Sequence, residues 1–424
     1  MISESYRKQW SDMSGACTSA IRDHRQEDAV LRIIDASGKP IPQAQVRIVQ
    51  KQHDFAFGCN CLWLGQLGSA NKLYENKLAE LFNLVTTTFC LSDIQPEPGR
   101  WRFAEGSGEI FRRPPPDRVV TFGKKHNLWL KGQPLLAGSW FPKWASDFSH
   151  DQIRALYEDY FRRVAERYSH SFDIFDLVNE SLCHTKFPLY NDNLDYVEWA
   201  FKCARPLFPS RVRLELNEAT PHIFNTDPKS GNNRFFNLVQ RLLDKSTPID
   251  AIGMQFHLWS PAIDAHLQGI GPHRPEKVHA TIEAFATLGL PIYISEITLP
   301  STMAPAPDGE DLQADILRNF YQLFFSIKRV NGIIYWNLCD GTAWRNEGNC
   351  KAGLTDEYFR EKPAYQALEQ LICRQWLTAC TLQADDQGVV SFRGFRGSYE
   401  AQVNNQEFTF TLHNKQTINT LQLA

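Results

Sequence analysis

The sequence predicts an α/β fold, a (β/α)8 barrel of the TIM type, with a small accessory β-sandwich built from its N- and C-terminal segments. Three observations lead there. Eight short apolar runs alternate with amphipathic stretches between residues 54 and 374. Segments of alternating apolar and polar residues lie outside that region at both ends of the 424-residue chain. Two of the eight runs end in a glutamate. Parallel strands covered by helices read as continuous apolar runs, and barrels of this kind carry their reactive groups where strand gives way to loop.

Along the chain, residues 1–25 read as a polar leader. Ala29–Asp35 and Ala44–Val49 then read as strands, and Ser37-Gly38-Lys39-Pro40 supplies turn chemistry between them, a pattern that predicts a β-hairpin. Residues 1–53 are therefore assigned to the leader and the first part of the sandwich. The barrel occupies 54–374, with strands at Phe55–Cys61, Leu84–Phe89, Leu128–Leu136, Ile174–Glu180, Val212–Asn217, Ile252–His257, Ile292–Glu296 and Ile333–Leu338. Helical patterns separate them. Gln152–Tyr168 is one, and Leu312–Lys328 is another, with Leu312, Ile316, Phe320 and Phe324 at helical spacing. A helix near Lys362–Cys373 closes the barrel. Residues 375–424 alternate again (Val389–Arg393, Tyr399–Val403, Phe408–Leu412), punctuated by Gly394, Gly397 and Asn404-Asn405. Either terminal segment alone is too short for a good core, so the two are expected to join into one sandwich packed on the barrel.

A hydrophobic share of 43% supports a large core, and a formal net charge of -3 makes no electrostatic case for nucleic acid or an anionic membrane. No apolar run reaches the roughly 18 residues of a spanning helix. Residues 1–20 lack the apolar centre of a signal peptide, which predicts a cytoplasmic protein, or a secreted or periplasmic one if a leader has been removed. The ten cysteines are scattered apart from Cys59-x-Cys61, and no second pair with histidine follows at zinc spacing. Most are expected to be buried free thiols, and no metal or organic cofactor is expected.

The two glutamates carry the chemistry. Ile174-Phe175-Asp176-Leu177-Val178-Asn179-Glu180 and Pro291-Ile292-Tyr293-Ile294-Ser295-Glu296 each deliver a carboxylate at a strand tip, on the fourth and seventh strands. A lone strand-end glutamate is ordinarily a solvated surface group. Two of them across one barrel mouth are the equipment for cleaving a glycosidic bond. Asn179 offers an amide donor beside Glu180, near the sugar's 2-hydroxyl. His257 ends the strand before Glu296, within reach of its carboxylate. Aromatic faces stack on pyranose rings, so Trp336 and Trp344, on and after the eighth strand, and Trp140, after the third, are candidate sugar platforms. Trp144 lies near Trp140. Tyr335 alternates with Trp336 and should face the helices. Asn217, at the end of the fifth strand, completes the candidate sugar-contacting set. The expected partner is a polysaccharide or oligosaccharide; oligomeric state is left open.

Together these segments resemble glycoside hydrolase family 10, the retaining endo-xylanases, over about residues 54–370. Asp176-Leu177-Val178-Asn179-Glu180 resembles that family's acid/base motif and Ile294-Ser295-Glu296 its nucleophile motif. Gly253-Met254-Gln255-Phe256-His257 resembles its sixth strand, and Trp336-Asn337-Leu338-Cys339-Asp340-Gly341-Thr342-Ala343-Trp344 its closing motif. The resemblance implies Glu180 as acid/base, Glu296 as nucleophile, Asn179 at the 2-hydroxyl, and Gln255 and His257 around the nucleophile. There are departures on the non-reducing side of the cleft. Thr86-Thr87-Thr88-Phe89-Cys90 stands where the family carries a charged Glu-Asn-x-x-Lys set. Gln133 replaces a histidine, Ala137 a platform tryptophan, and Trp140 a glutamine. The reaction is expected to persist, on a β-linked or decorated plant- or microbe-derived saccharide rather than plain linear xylan. A carbohydrate-binding protein on a degenerate barrel, or a transglycosylase, are the alternatives.

Overall fold

The computed structural model describes residues 2–413 and 417–423; Met1, residues 414–416 and Ala424, all within the segments assigned above to the sandwich, lie outside the described residues. The polar leader forms helix Glu4–Arg25, capped by Ser3, whose hydroxyl accepts from the Tyr6 amide at 3.0 Å. Its buried face carries Tyr6, Trp10, Cys17, Ile21 and Arg25. That face packs on the barrel helix Asp308–Ser326, where the Trp10 ring meets Phe320 edge-on at 5.0 Å. Arg25 is buried because it is fully employed. Its guanidinium donates to Phe325 O at 2.7 Å, Ile327 O at 2.5 Å and Val330 O at 2.8 Å, satisfying carbonyls where that helix ends and the next strand begins.

Strands β1 (Gln26–Ile34) and β2 (Gln45–His53) follow. Eight parallel strands then close the barrel: β3 (Ala56–Asn60), β4 (Leu84–Thr88), β5 (Trp129–Gln133), β6 (Ile174–Asn179), β7 (Arg213–Glu218), β8 (Ala251–His257), β9 (Ile292–Thr298) and β10 (Val330–Tyr335), with β10 returning to pair with β3. The predicted helices appear as His150–Tyr168, Asp308–Ser326 and Pro363–Glu369, and the last continues through one wider turn to Gln375. The C-terminal strands are β11 (Ala379–Gln383), β12 (Val389–Phe395), β13 (Gly397–Val403), β14 (Gln406–Leu412) and β15 (Thr417–Gln422).

The terminal strands make two sheets, β12-β1-β15 and β11-β2-β13-β14. Leu31 and Ile33 of one sheet and Val46, Ile48, Ala401 and Val403 of the other are buried in the core between them. The expected hairpin is therefore corrected: β1 and β2 do not pair but belong to opposite sheets. The turn itself forms. The Asp35 carboxylate accepts from the Ser37 and Lys39 amides, and the Ile41 amide donates back to Ile33 O. The chain then crosses to the other sheet. A two-stranded hairpin would leave the apolar face of both strands uncovered. Separated, the strands cover each other face to face and take their ladder partners from the far end of the chain.

The barrel interior is less apolar than its strand sequences suggest. Lys131 of β5 lies between Asp176 of β6, at 2.8 Å, and Glu215 of β7, at 2.5 Å, and all three side chains are sealed from solvent. This ionic layer lies directly beneath the strand ends that carry the two glutamates.

Candidate active site

The C-terminal ends of the barrel strands enclose a cleft of about 580 Å³. Glu180 is the first residue past β6 and sits in the left-handed region, with φ 54°. Such a conformation costs on the order of 1–3 kcal/mol outside glycine. Hydrogen bonds hold it: the Glu180 amide donates to Asn217 O at 3.0 Å, and the Cys183 amide donates to Glu180 O at 3.0 Å. The bend tips the carboxylate over the cleft, where Oε1 accepts from Gln255 Nε2 at 2.9 Å and Oε2 meets His184 Nε2 at 2.9 Å.

Glu296 lies within β9, deeper than Glu180. Its Oε1 accepts from Gln255 Nε2 and Asn217 Nδ2, each at 3.3 Å, and its Oε2 meets His257 Nε2 at 3.3 Å. The other nitrogen of His257 contacts Thr298 Oγ1 at 2.7 Å, which sets the ring's orientation. One nitrogen, Gln255 Nε2, thus bridges both carboxylates, at 2.9 and 3.3 Å. The nearest oxygens of the pair cannot lie further apart than those two lengths laid end to end.

The two carboxyls differ in environment. Burial pushes the Glu296 carboxyl above the usual range, against the hydrogen bond and charge of His257. Burial also pushes Glu180 upward, but hydrogen bonds from His184 and Gln255 outweigh it, and the net displacement is downward. Further out, burial drives Glu218, at the end of β7, up to about 7. Its oxygens accept from the Leu182 and Ala219 amides and from Ser181 Oγ, so it braces the loop that follows Glu180. With Cys183 and His222 it forms the one set among the described residues whose donor atoms, within 4.8 Å of each other, could hold a metal. Its carboxylate is already taken up by those hydrogen bonds, and its role is that of a loop brace.

Most of the sequence-derived set lines this cleft: Asn179, Gln133, Gln255, His257, Trp336, Trp344 and Trp140, with Glu180 and Glu296. Asn179 Oδ1 accepts from Asn217 at 3.0 Å, which turns its own amide hydrogens toward the cavity. Asn217 does not line the cleft. It is wholly buried beneath the cleft floor, out of a sugar's reach. Its Nδ2 reaches Asn179, Glu296 and, at 3.2 Å, Asp176, while its Oδ1 accepts from Ser295 Oγ at 2.6 Å. Its strand register points it down into the barrel rather than up. Gly253 on β8 makes room for it: a Cβ there would come within 2.3 Å of Glu215 Oε1 and 2.5 Å of Asn217 Oδ1. Trp144 stands outside the lining, its indole donating to Gln95 O at 2.9 Å. Tyr335 points into the helix layer, its hydroxyl donating to Ala352 O at 2.6 Å.

The sequence reading missed several cleft residues. Trp259 stacks on the His257 ring at 5.5 Å. His184 faces Glu180 from the loop after β6. Arg112, Arg113, Arg345 and Glu347 line the end of the cleft near Trp344. Arg112 and Arg113 come from the long connection between β4 and β5, whose only sequence signal is the loop marker Pro114-Pro115-Pro116. Charge missing from the end of β4 thus enters the same cleft from another loop.

Comparison with known proteins gives a consistent result. A family model described as "Glycosyl hydrolase family 10" matches residues 62–371. Endo-1,4-beta-xylanase B of Thermotoga neapolitana is 26% identical over 335 residues, covering 75% of this chain and 87% of that protein. The anti-sigma-I factor RsgI6 of Acetivibrio thermocellus is 23% identical over 421 residues; the alignment takes in 98% of this chain but only 50% of that protein's length. Among solved structures, xylanase 10B of Thermotoga petrophila RKU-1, in complex with xylobiose, superposes with a TM-score of 0.59 at 23% identity, covering 76% of this chain and 95% of that one. At that identity the likeness shows a shared fold.

Proposed function

The chain belongs to glycosyl hydrolase family 10, and on that premise we propose that it is a retaining β-glycoside hydrolase, xylanase-like in reaction, acting through a glycosyl-enzyme intermediate. The observation that carries this is the amide of Gln255 bridging two carboxylates at 2.9 and 3.3 Å at the barrel mouth. Glu180 is the acid/base: at the rim, with its side chain 27% exposed, it meets the leaving oxygen and later the incoming water. Glu296 is the nucleophile, held from below by Asn217 and from the side by His257. It attacks the anomeric carbon as Glu180 gives its proton to the departing oxygen. Water activated by Glu180 then releases the sugar, and the carboxylates return to their first states.

Substrate completes the electrostatics. In the open cleft hydrogen bonds favour the ionised form of Glu180, whereas the acid step needs its proton. A sugar laid across the cleft covers the exposed part of Glu180, which favours the protonated form. Positive charge growing at the anomeric carbon favours ionised Glu296. Asn179 directs its free amide to the 2-hydroxyl, and Trp336 offers an aromatic face. The altered residues at the other end, Gln133, Ala137 and Trp140, support a β-linked substrate other than plain linear xylan.

The test is a panel of aryl β-glycosides with azide as external nucleophile. Wild type should turn over at least one, and Glu180→Gln and Glu296→Gln, both folded, should not. Azide should rescue Glu180→Ala with a β-glycosyl azide and Glu296→Ala with the opposite anomer. Identical azides from both variants overturn the roles. Oligosaccharide binding without turnover of any β-glycoside overturns the enzymatic reading.

A further inference from the structure

Arg112 is 1% exposed, yet among the described residues its Nε and Nη1 have no hydrogen-bond partner; Nη2 alone is used, donating to Asn337 Oδ1 at 3.0 Å. A buried guanidinium with idle donors is costly unless an acceptor reaches it. Asn337, its neighbour, also has an idle buried amide nitrogen. Arg113 follows in sequence. It is tied to Asp93 at 2.6 Å, and its guanidinium lies 4.7 Å from the Trp140 ring centre and 5.6 Å from that of Trp344. Arg345, exposed in the segment that follows β10, lies 5.0 Å from the Trp344 ring centre. All three arginines line the cleft that holds Glu180 and Glu296.

The facing charges do not neutralise this end. Asp93 is taken by Arg113. Glu347 accepts from the Trp344 amide at 3.3 Å and acts on Arg112 through its charge, but makes no ion pair with it among the described residues. Burial and the like charge of Arg113 lower the Arg112 pKa to about 10, with Glu347 opposing, the response of a cation short of anionic contact. Trp140 and Trp344, with ring centres 6.1 Å apart, supply apolar faces beside these cations. A ligand suited to both features has a pyranose face and a carboxylate on the same unit. Guanidinium recognises carboxylate through charge-assisted hydrogen bonds.

We propose that this end of the cleft is a subsite for a hexuronic acid unit of the substrate, its carboxylate received by Arg112 and Arg345 and its ring by Trp140 and Trp344. The proposal rests on the hydrolase reading and names the decoration that reading leaves open.

The experiment compares kcat/KM for three xylo-oligosaccharides of equal backbone: unbranched, bearing one glucuronic acid branch, and bearing the methyl ester of that branch. The ester keeps the shape and removes the charge. Wild type should favour the acid over its ester by about tenfold or more, and the preference should shrink as salt is raised. Arg112→Gln should collapse that acid-to-ester ratio. So should Arg345→Gln, a surface change that keeps the test available if the buried variant fails to fold. Equal rates on acid and ester in wild type, or a ratio untouched by both variants, overturn the proposal. Competition by free sulfate without any preference for the acid branch also overturns it, by marking a site for loose anions. Turnover of a neutral aryl β-glycoside without acid preference sinks the subsite alone. No turnover of any β-glycoside sinks the hydrolase reading beneath it.

Discussion

Asn217→Ala should weaken catalysis without removing any group that touches sugar. The Asn217 amide nitrogen lies 3.0 Å from Asn179 Oδ1, 3.2 Å from Asp176 Oδ2 and 3.3 Å from Glu296 Oε1. An amide has two hydrogens for these three acceptors, so each bond is shared. A whole hydrogen bond to a charged group contributes about 1.5–3 kcal/mol. A shared one at this length, aimed at Glu296, the proposed nucleophile, is assigned the lower end, about 1.5 kcal/mol, or about tenfold in kcat/KM. Stability should fall as well, by about 1–3 kcal/mol, because Ser295 and Asp176 lose a buried partner. The assay is steady-state hydrolysis of the best aryl glycoside by wild type and variant, with folding checked by thermal melting. The same substitution is then made in Glu296→Ala and the azide-rescued rate measured. With the carboxylate gone, Asn217 still holds Asn179 and Asp176 but no longer Glu296, and its removal should cost the azide-rescued rate clearly less. A folded Asn217→Ala enzyme within about twofold of wild type would refute the reasoning. So would an equal loss in the azide-rescued background.

Two further outcomes follow from the electrostatics. His184 holds the Glu180 carboxyl down by a 2.9 Å contact; His184→Asn should let it rise. Since Glu180 must carry its proton in the proposed acid step, the alkaline limb of the kcat/KM profile should move to higher pH, and a limb that stays or moves down contradicts the pairing. Lys131→Met leaves Asp176 and Glu215 buried without their cation and should cost about 3–5 kcal/mol in denaturant unfolding at pH 7. Burial already raises the Glu215 pKa. Raised carboxyls bind protons in the native state that the unfolded chain releases, so stability falls as pH rises. The deficit should therefore be smaller at pH 5 than at pH 7; equal deficits would show that the loss is one of packing.

The strands and the carboxylates were legible because their signals are local. A run such as Ile292-Tyr293-Ile294 followed by a glutamate carries both its burial and its chemistry within a few residues. Alternation likewise revealed strands at both ends of the chain. It did not reveal their partners: alternation tells which face of a strand is apolar, not which strand lies beside it. The turn after Asp35 therefore read as a hairpin, although β1 and β2 lie in different sheets. Asn217 stands at a strand end, where one step of register decides whether a side chain meets the cavity or the barrel interior. Arg112 and His184 come from loops, where no periodicity exists to read.

By itself, then, the sequence determined a barrel with paired glutamates at its mouth, because strand formation and the delivery of a group at a strand tip depend on near neighbours. Only the tertiary structure decided what surrounds those glutamates. The amide that bridges them, the asparagine beneath and the arginines at the far end approach from β8, β7 and two separate loops. Their meeting depends on how the whole barrel closes and buries its polar interior, and no short stretch of chain records that.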